Sequence, residues 1–319
     1  MRIHIPNSAF LGNLDPFLRQ FDSSNPHKLE ITANKNWISV HPVVLSMIAA
    51  LGLKVGKSKI MCETIEATSK HYLERMGLFK FLGIKSGIKV NEHESAGRFI
   101  PLTQIKNSDE LTDFITEMIP LLHLDAQQVE PLRYVVSELV RNVLEHSQSE
   151  YGAIVSAQYY QKSNIIRIGI VDTGIGIKKS INMSHQVPTD LEAIQLALTP
   201  GITGTTAKEG GTEYNAGAGL FFIKSIAKVN RDFFVIYSGK AMYKLLKSKP
   251  EHIKLYANPF KDKHSKNEDV TYWQGTVVGI DIALDTKTEF SRLLDLIREI
   301  YIKTLQERKK AKYRRPRFI

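Results

Sequence analysis

The 319-residue chain has a single cysteine, Cys62, so no internal disulfide can form. A lone thiol fits a reducing compartment, and the plainer reading of Cys62 is a small buried hydrophobe. The opening MRIHIPNSAF has no charged segment followed by an apolar core, so no signal peptide is expected. No long hydrophobic run occurs either. The most apolar stretch, Val43 to Leu53, falls short of the roughly 20 residues a membrane-crossing helix takes. Repeats and low-complexity segments are missing until the C-terminal end. These absences exclude a disulfide scaffold, a repeat array and a membrane-spanning protein, and a soluble cytoplasmic chain with no membrane partner is expected.

Acidic residues are scarce in one place only. In 301–319, eight lysines and arginines face Glu307 alone, which puts +7 of the chain's net +10 into the tail. Such a tail suits nucleic acid, an acidic partner or anionic lipid, and equally a solvated, disordered end. The remainder is close to neutral, which makes charge a weak argument for nucleic-acid binding. Hydrophobic residues make up 43% and charged residues 24%, an ordinary globular composition for one large or two medium domains.

Patterning divides the chain. LEITANKNWISV (29–40) reads as two short strands around an Asn/Lys turn. Pro42 then opens a helix that ends near Gly52, and a longer helix is expected through 60–79. Residues 91–108 lose periodicity. This places an α/β domain at 1–95, a linker at 96–108, a larger domain at 109–285, and a C-terminal helix with basic tail at 286–319. In the larger domain, helices are expected over 109–122, 127–146, 189–198 and 218–230. Strands are expected at 152–160, 164–172, 232–239 and 275–284. Runs of strands beside runs of helices, without strict alternation, predict α+β with helices covering one face of a mixed sheet.

The helix at 127–146 carries a second signal. Val129, Leu132, Val136, Leu139, Val140 and Val143 follow the 3.6-residue period and form one apolar face. Yet Glu138, Asn142 and His146, in SELVRNVLEH, are spaced i, i+4, i+8 and stack along one flank. A carboxylate there suits a base or a water-orienting group. An amide oxygen beside it is a hard ligand suited to Mg²⁺, and a plain polar helix edge is the competing reading. VDTGIGI (171–177) follows a strand. There Asp172 offers a fixed acceptor for an exocyclic amine, and Gly174 and Gly176 allow tight turning and close approach of a flat ligand. Alone, Asp and Gly also make ordinary turns. In NAGAGLFFIKSIA (215–227), Gly217 and Gly219 precede a helix whose N–H groups suit phosphate. The glycine order differs from the dinucleotide fingerprint, and no GK[ST] follows, which excludes a P-loop here.

Together and in this order, ELVRNVLEH, DTGIGI and NAGAGL resemble the N, G1 and G2 boxes of the GHKL superfamily. That superfamily includes gyrase, heat-shock chaperones, histidine kinases and mismatch-repair ATPases. QGTVVGIDIAL (274–284) resembles its closing strand, and the likeness covers about 105–285. The resemblance implies a two-layer Bergerat-type ATP-binding fold and Mg-ATP as ligand. It implies that Glu138 polarises the nucleophile and Asn142 ligates Mg²⁺. Asp172 would recognise adenine in a pocket shaped by Gly174 and Gly176. Gly217 and Gly219 would cradle phosphates, Thr276 would support a water network at Asp172, and 178–216 would form a mobile lid. The E-L-V-x-N-x-x-x-H helix is closer to the anti-sigma-factor kinases than to ordinary histidine kinases. His146 would then stand behind Glu138 and Asn142, or serve as a capping or packing residue. Lys208 and Lys224 would reach a phosphate or, more plainly, water.

The segment 29–52 resembles, more faintly, the strand–loop–helix of STAS domains. The junction reads SVHPVV, with His41 and Pro42 where a phosphorylated serine is expected and Ser39 nearby. His71 lacks the acidic residue and proline of a phosphoacceptor helix. About 35 residues follow Leu284, too few for a second domain of the gyrase kind. The expectation is therefore a regulatory kinase or slow ATPase. Its alternative is a catalytically weak, ATP-gated binding module, and a nucleic-acid-associated ATPase ranks lower. A regulatory protein is the expected partner, with a second copy of the chain left open.

Overall fold

The computed structural model describes residues 1–19, 27–88, 99–204, 217–248, 254–284 and 290–313. Strands β1 (Arg2–Ile5) and β2 (Ser8–Ala9) lead into the short helix α1 (Asp15–Leu18). Then come β3 (Leu29–Ala33), β4 (Ser39–Val40), α2 (Pro42–Val55), β5 (Ile60–Cys62), α3 (Lys70–Arg75) and α4 (Leu78–Leu82). Parallel pairing joins β1, β3 and β5 in that order, and β2 with β4. The two strands expected in 29–40 both form, but they belong to different sheets and make no hairpin.

Helix α2 starts as its sequence demands. His41 caps it by accepting the Val43 N–H, and Pro42 occupies the first turn, where its missing N–H costs nothing. The helix runs past Gly52 to Val55 and stops at Gly56, whose φ of +86° no other residue adopts cheaply. Residues 42–52 and Val55 are all buried, on every side of the helix. A helix apolar all round must be enclosed, and α2 is. The long helix expected over 60–79 does not form. Residues 60–62 pair as β5, and Gly77, with φ +74°, separates α3 from α4.

The rest of the chain adds β6 (Phe99–Ile105), α5 (Ser108–Asp113), α6 (Ala126–Asn142), β7 (Ala153–Tyr160) and β8 (Ile165–Val171). It continues with α7 (Gly176–Ile181), α8 (Asp190–Ala197), α9 (Gly219–Val229), β9 (Phe234–Gly239), β10 (Ala241–Leu245), β11 (His264–Asn267), β12 (Trp273–Ala283) and α10 (Phe290–Tyr313). Seven strands form one sheet in the order β11-β10-β9-β12-β8-β7-β6. Every pairing in it is antiparallel, so the expected mixed sheet is corrected; parallel pairs are confined to the N-terminal strands. Chain-adjacent hairpins need no crossover, and that favours antiparallel order.

The α+β class holds, but helices lie on both faces. Helices α6, α9 and α10 share one core with the front of the sheet. On the back, α2 lies against β7, β8 and β12, in a second core with Val171, Tyr237, Trp273 and Val277. At the closest point a Cβ on Gly169 would overlap the Val43 main chain. The linker expected at 96–108 is corrected as well. Residues 99–105 are β6, the edge strand paired to β7, while 89–98 lie outside the described residues. The loss of periodicity there reflects a bulge between Ile100 and Thr103, which breaks the strand's alternation.

The basic end is only partly tail. Through residue 313 it is the last turns of α10, with Tyr301 packed on Phe222 and an Arg308 N–H donated to the Pro200 carbonyl at 2.9 Å. Residues 314–319 lie outside the described residues. Among the described residues no helix is long and apolar enough to cross a membrane.

Candidate nucleotide pocket

Helix α6 begins at Asp125, in a reciprocal capping arrangement with Gln128. Its apolar face packs under the sheet, as the period required. At Asn142 the α-helix gives way to one turn of π-helix, 143–147, which ends at Gln148 with φ +51°. Such widened turns are frequent at functional sites. The polar flank carrying Glu138, Asn142 and His146 borders a cavity of about 340 Å³.

Asp172 enters this cavity from the end of β8 and is 2% exposed. One carboxylate oxygen accepts the Gly174 N–H at 2.7 Å, and the Thr276 main chain and hydroxyl also bond to it. Burial outweighs these bonds and pushes the carboxyl up to about 7. Its main chain is held too. The Asp172 N–H donates to the Thr276 carbonyl at 2.9 Å, and the Trp273 indole N–H donates to the Asp172 carbonyl at 3.1 Å.

Gly176, φ +76°, turns the chain into α7, where the Ile177 N–H meets the Ser238 hydroxyl at 3.0 Å. Gly174 is absent from the cavity wall. A Cβ there would strike the Ser147 main chain, so it packs the β8 end against the π turn.

Gly217 and Gly219 reach the wall of the same cavity at the start of α9. Gly217 has φ +62°. A Cβ on Gly219 would stand 2.6 Å from Glu138 Oε2, so the carboxylate sits directly over the helix N-terminus, where the dipole favours negative charge. Burial raises the Glu138 carboxyl above its usual range, with Arg141 pulling it back. The Asn142 side-chain nitrogen is buried without a hydrogen-bond partner. Val143, Ile170, Ile177 and Val278 supply apolar wall.

Of the residues singled out in the sequence, Glu138, Asn142, His146, Asp172, Gly176, Gly217, Gly219 and Thr276 line this one cavity. They come from stretches far apart in the chain. Besides Gly174, which packs behind the wall and does not shape it, two further expectations fail. Lys224 reaches neither cavity nor water: it is fully buried, 2.6 Å from Asp262 and 3.0 Å from the Tyr256 carbonyl. Residues 178–204 of the expected lid fold into α7, α8 and a packed turn, with Leu191, Ala193 and Ile194 in the core. Residues 205–216, Lys208 included, lie outside the described residues.

Tyr134, Ser180 and Thr203 also line the wall and were not legible beforehand, because single polar residues in helices and turns carry no pattern. His71 is exposed on α3 and far from any motif, Ser39 is half-buried in β4, and Cys62 is half-buried with its thiol pushed up to about 11. His41 lies buried in the back interface.

No model of a protein family matches this chain, and no curated protein matches it.

Proposed function

We propose that the chain is a cytoplasmic ATP-binding protein of the GHKL type, acting as a regulatory kinase or slow ATPase, with a STAS-like N-terminal module. The observation that carries this reading is the meeting of three motifs in one cavity: Glu138 and Asn142 from α6, Asp172 and Gly176 from the β8 end, Gly217 and Gly219 from the α9 start. Motif spacing alone did not require that meeting.

The chemistry fits a nucleotide at both ends. The apolar wall suits a flat base, and ionised Asp172 accepts from an exocyclic amine. The α9 N-terminus suits phosphates, and the missing Cβ of Gly219 lets an anionic group, here the Glu138 carboxylate, reach it. The Asn142 amide stands at the same end, its unpartnered nitrogen 3.6 Å from where a Gly219 Cβ would lie, and turning the amide over would present its oxygen, the residue's hard ligand. Asn142 would hold Mg²⁺ together with the phosphates, and the ion would neutralise their charge. Glu138, its carboxyl raised by burial, is suited to take a proton from a water or hydroxyl nucleophile.

One observation favours the alternative, a catalytically weak module gated by ATP. The Glu138 carboxylate stands over the α9 N-terminus itself, where a phosphate would lie, so phosphate binding has to displace it. A ligand that moves one side chain at a helix start is suited to switching.

The test uses γ-labelled ATP with Mg²⁺ and the full chain, following free phosphate and protein-bound label, with Glu138→Ala and Asp172→Asn as controls. Phosphate release lost in Glu138→Ala supports an ATPase, and label on the protein supports a kinase. Neither signal, with Asp172-dependent binding intact, leaves the gated module. No binding at all overturns the nucleotide reading.

A further inference from the structure

Asp172 is held by a bulge in β12. The pairing of β12 with β9 slips between Trp273 and Thr276. From that bulge Trp273 donates to the Asp172 carbonyl, and Thr276 accepts the Asp172 N–H while also bonding its carboxylate. Gly275, at φ +102°, lets the bulge press against the Asp172 main chain, where a Cβ would overlap it. The Gly275 carbonyl also accepts from the Ser238 hydroxyl at 2.6 Å. The Asp172 main chain is thus held by Trp273, Gly275 and Thr276 of the bulge, and its carboxylate by Thr276 together with the Gly174 N–H.

The remaining bulge residue, Gln274, points its amide elsewhere. Its Oε1 accepts a hydrogen bond from Lys54 Nζ at 2.7 Å. Lys54 sits in the last turn of α2, on the back of the sheet. Neither Lys54 nor Gln274 lines the cavity. Helix α2 is in turn fixed to the sheet by Ser46 Oγ to Ser156 Oγ at 2.9 Å, and by Ser156 Oγ donating to the Pro42 carbonyl at 3.1 Å. A continuous set of contacts therefore runs from the N-terminal module through Lys54, Gln274 and the bulge to the carboxyl at the cavity floor.

We propose that Lys54 and Gln274 are positioning residues for Asp172, through which the N-terminal module sets how strongly the pocket prefers a base bearing an exocyclic amine. This rests on the nucleotide reading above. Loosening the bulge lets the carboxyl turn away from the amine while the phosphate end, built on α6 and α9, is untouched. The effect is on discrimination between bases and spares the affinity common to them.

The experiment compares Mg-ADP with Mg-inosine diphosphate, whose base lacks the amine, by calorimetric titration of the full chain. The wild type is expected to bind ADP about tenfold or more tightly than inosine diphosphate, and Asp172→Asn to abolish the difference. Lys54→Ala and Gln274→Ala are each expected to cut the ADP preference about three- to tenfold, with the double variant no worse than either single one. Gln274→Glu, which keeps an acceptor for Lys54, is expected to restore it. A purely structural role would lower Tm and leave the preference where it was. An unchanged preference in Lys54→Ala and Gln274→Ala, with Asp172→Asn still losing it, overturns the proposal and spares the nucleotide site. Equal wild-type affinity for both nucleotides also overturns the proposal. Absence of wild-type binding to either overturns the nucleotide reading and the proposal with it.

Discussion

Behind the seven-stranded sheet, α2 lies so close that Gly169 has no room for a Cβ, and buried polar groups meet across the contact. Ser46 bonds Ser156, His41 bonds Asp281 at 3.2 Å, and the Arg167 guanidinium stands over the Phe10 and Tyr160 rings at 4.5 and 4.1 Å. In front, between the same sheet and α6 and α9, a cavity stays open. Its polar groups face inward, with the Asn142 nitrogen unpartnered and the Asp172 and Glu138 carboxyls raised by burial. The lesson lies in how burial is used. Polar groups buried with partners lock two layers together, whereas one buried without a partner, as the Asn142 nitrogen is, holds a cost that a ligand can relieve.

The largest effect that would break this comparison is at the back. Gly169→Val is expected to cost more than about 4 kcal/mol, because the added carbons meet main chain that cannot move aside. Loss of the cooperative urea transition in far-UV circular dichroism checks it.

Next comes Asp172→Asn, which should stabilise the protein and, on the proposed nucleotide reading, remove the preference for an amine-bearing base. The folded carboxyl titrates at about 7, above the unfolded value near 4, so wild-type stability is fullest below pH ~4 and falls as pH rises to about 7. The amide is neutral throughout. Its advantage should therefore grow across that window, to about 2–4 kcal/mol at pH 8, and be small at pH 4. Urea midpoints at both pH values decide this. Wild-type ADP affinity should rise with pH through about 7, and the variant's should not.

A smaller effect is expected for Ser156→Ala, about 1–2 kcal/mol, since it strips Ser46 of a partner inside a buried interface. Removing both hydroxyls in Ser46→Ala/Ser156→Ala should cost no more than the single change, and a double-mutant cycle measures it. The smallest stability effect belongs to the front. Gly219→Ala meets only the movable ends of Glu138 and Asn142 and should leave the free energy of urea unfolding within about 0.5 kcal/mol of wild type. On the proposed nucleotide reading, binding should nonetheless weaken, because the methyl group takes space where the phosphates would lie. Unchanged binding in that variant would put the phosphate elsewhere.

Much of the front was legible beforehand. The periodicity of 127–146 announced α6, alternation announced β7 and β8, and Gly217 and Gly219 marked the α9 start. These signals are local, set by a repeat of 3.6 or 2 residues or by a backbone freedom only glycine has. The short strands β10 and β11 escaped because AMYKL and HSKN are brief and carry no clean alternation. The 60–79 helix was misread because its apolar spacing tolerated a helix, while strand pairing by 60–62 and the left-handed Gly77 decided otherwise. Lys224 looked free because nothing nearby in sequence reveals Asp262, 38 residues on.

By itself, then, the sequence determined the elements whose cause lies within a few residues, and the three motifs with their residue chemistry. Only the tertiary structure decided that the sheet is antiparallel, that β6 closes its edge, and that the N-terminal module covers its back. It also decided that Glu138, Asn142, Asp172 and Thr276 share one cavity, and that Lys54 reaches the bulge beneath Asp172. The physical reason is range. Periodicity and capping act along the chain, whereas strand pairing, close packing and desolvation depend on which distant segment arrives to complete the contact.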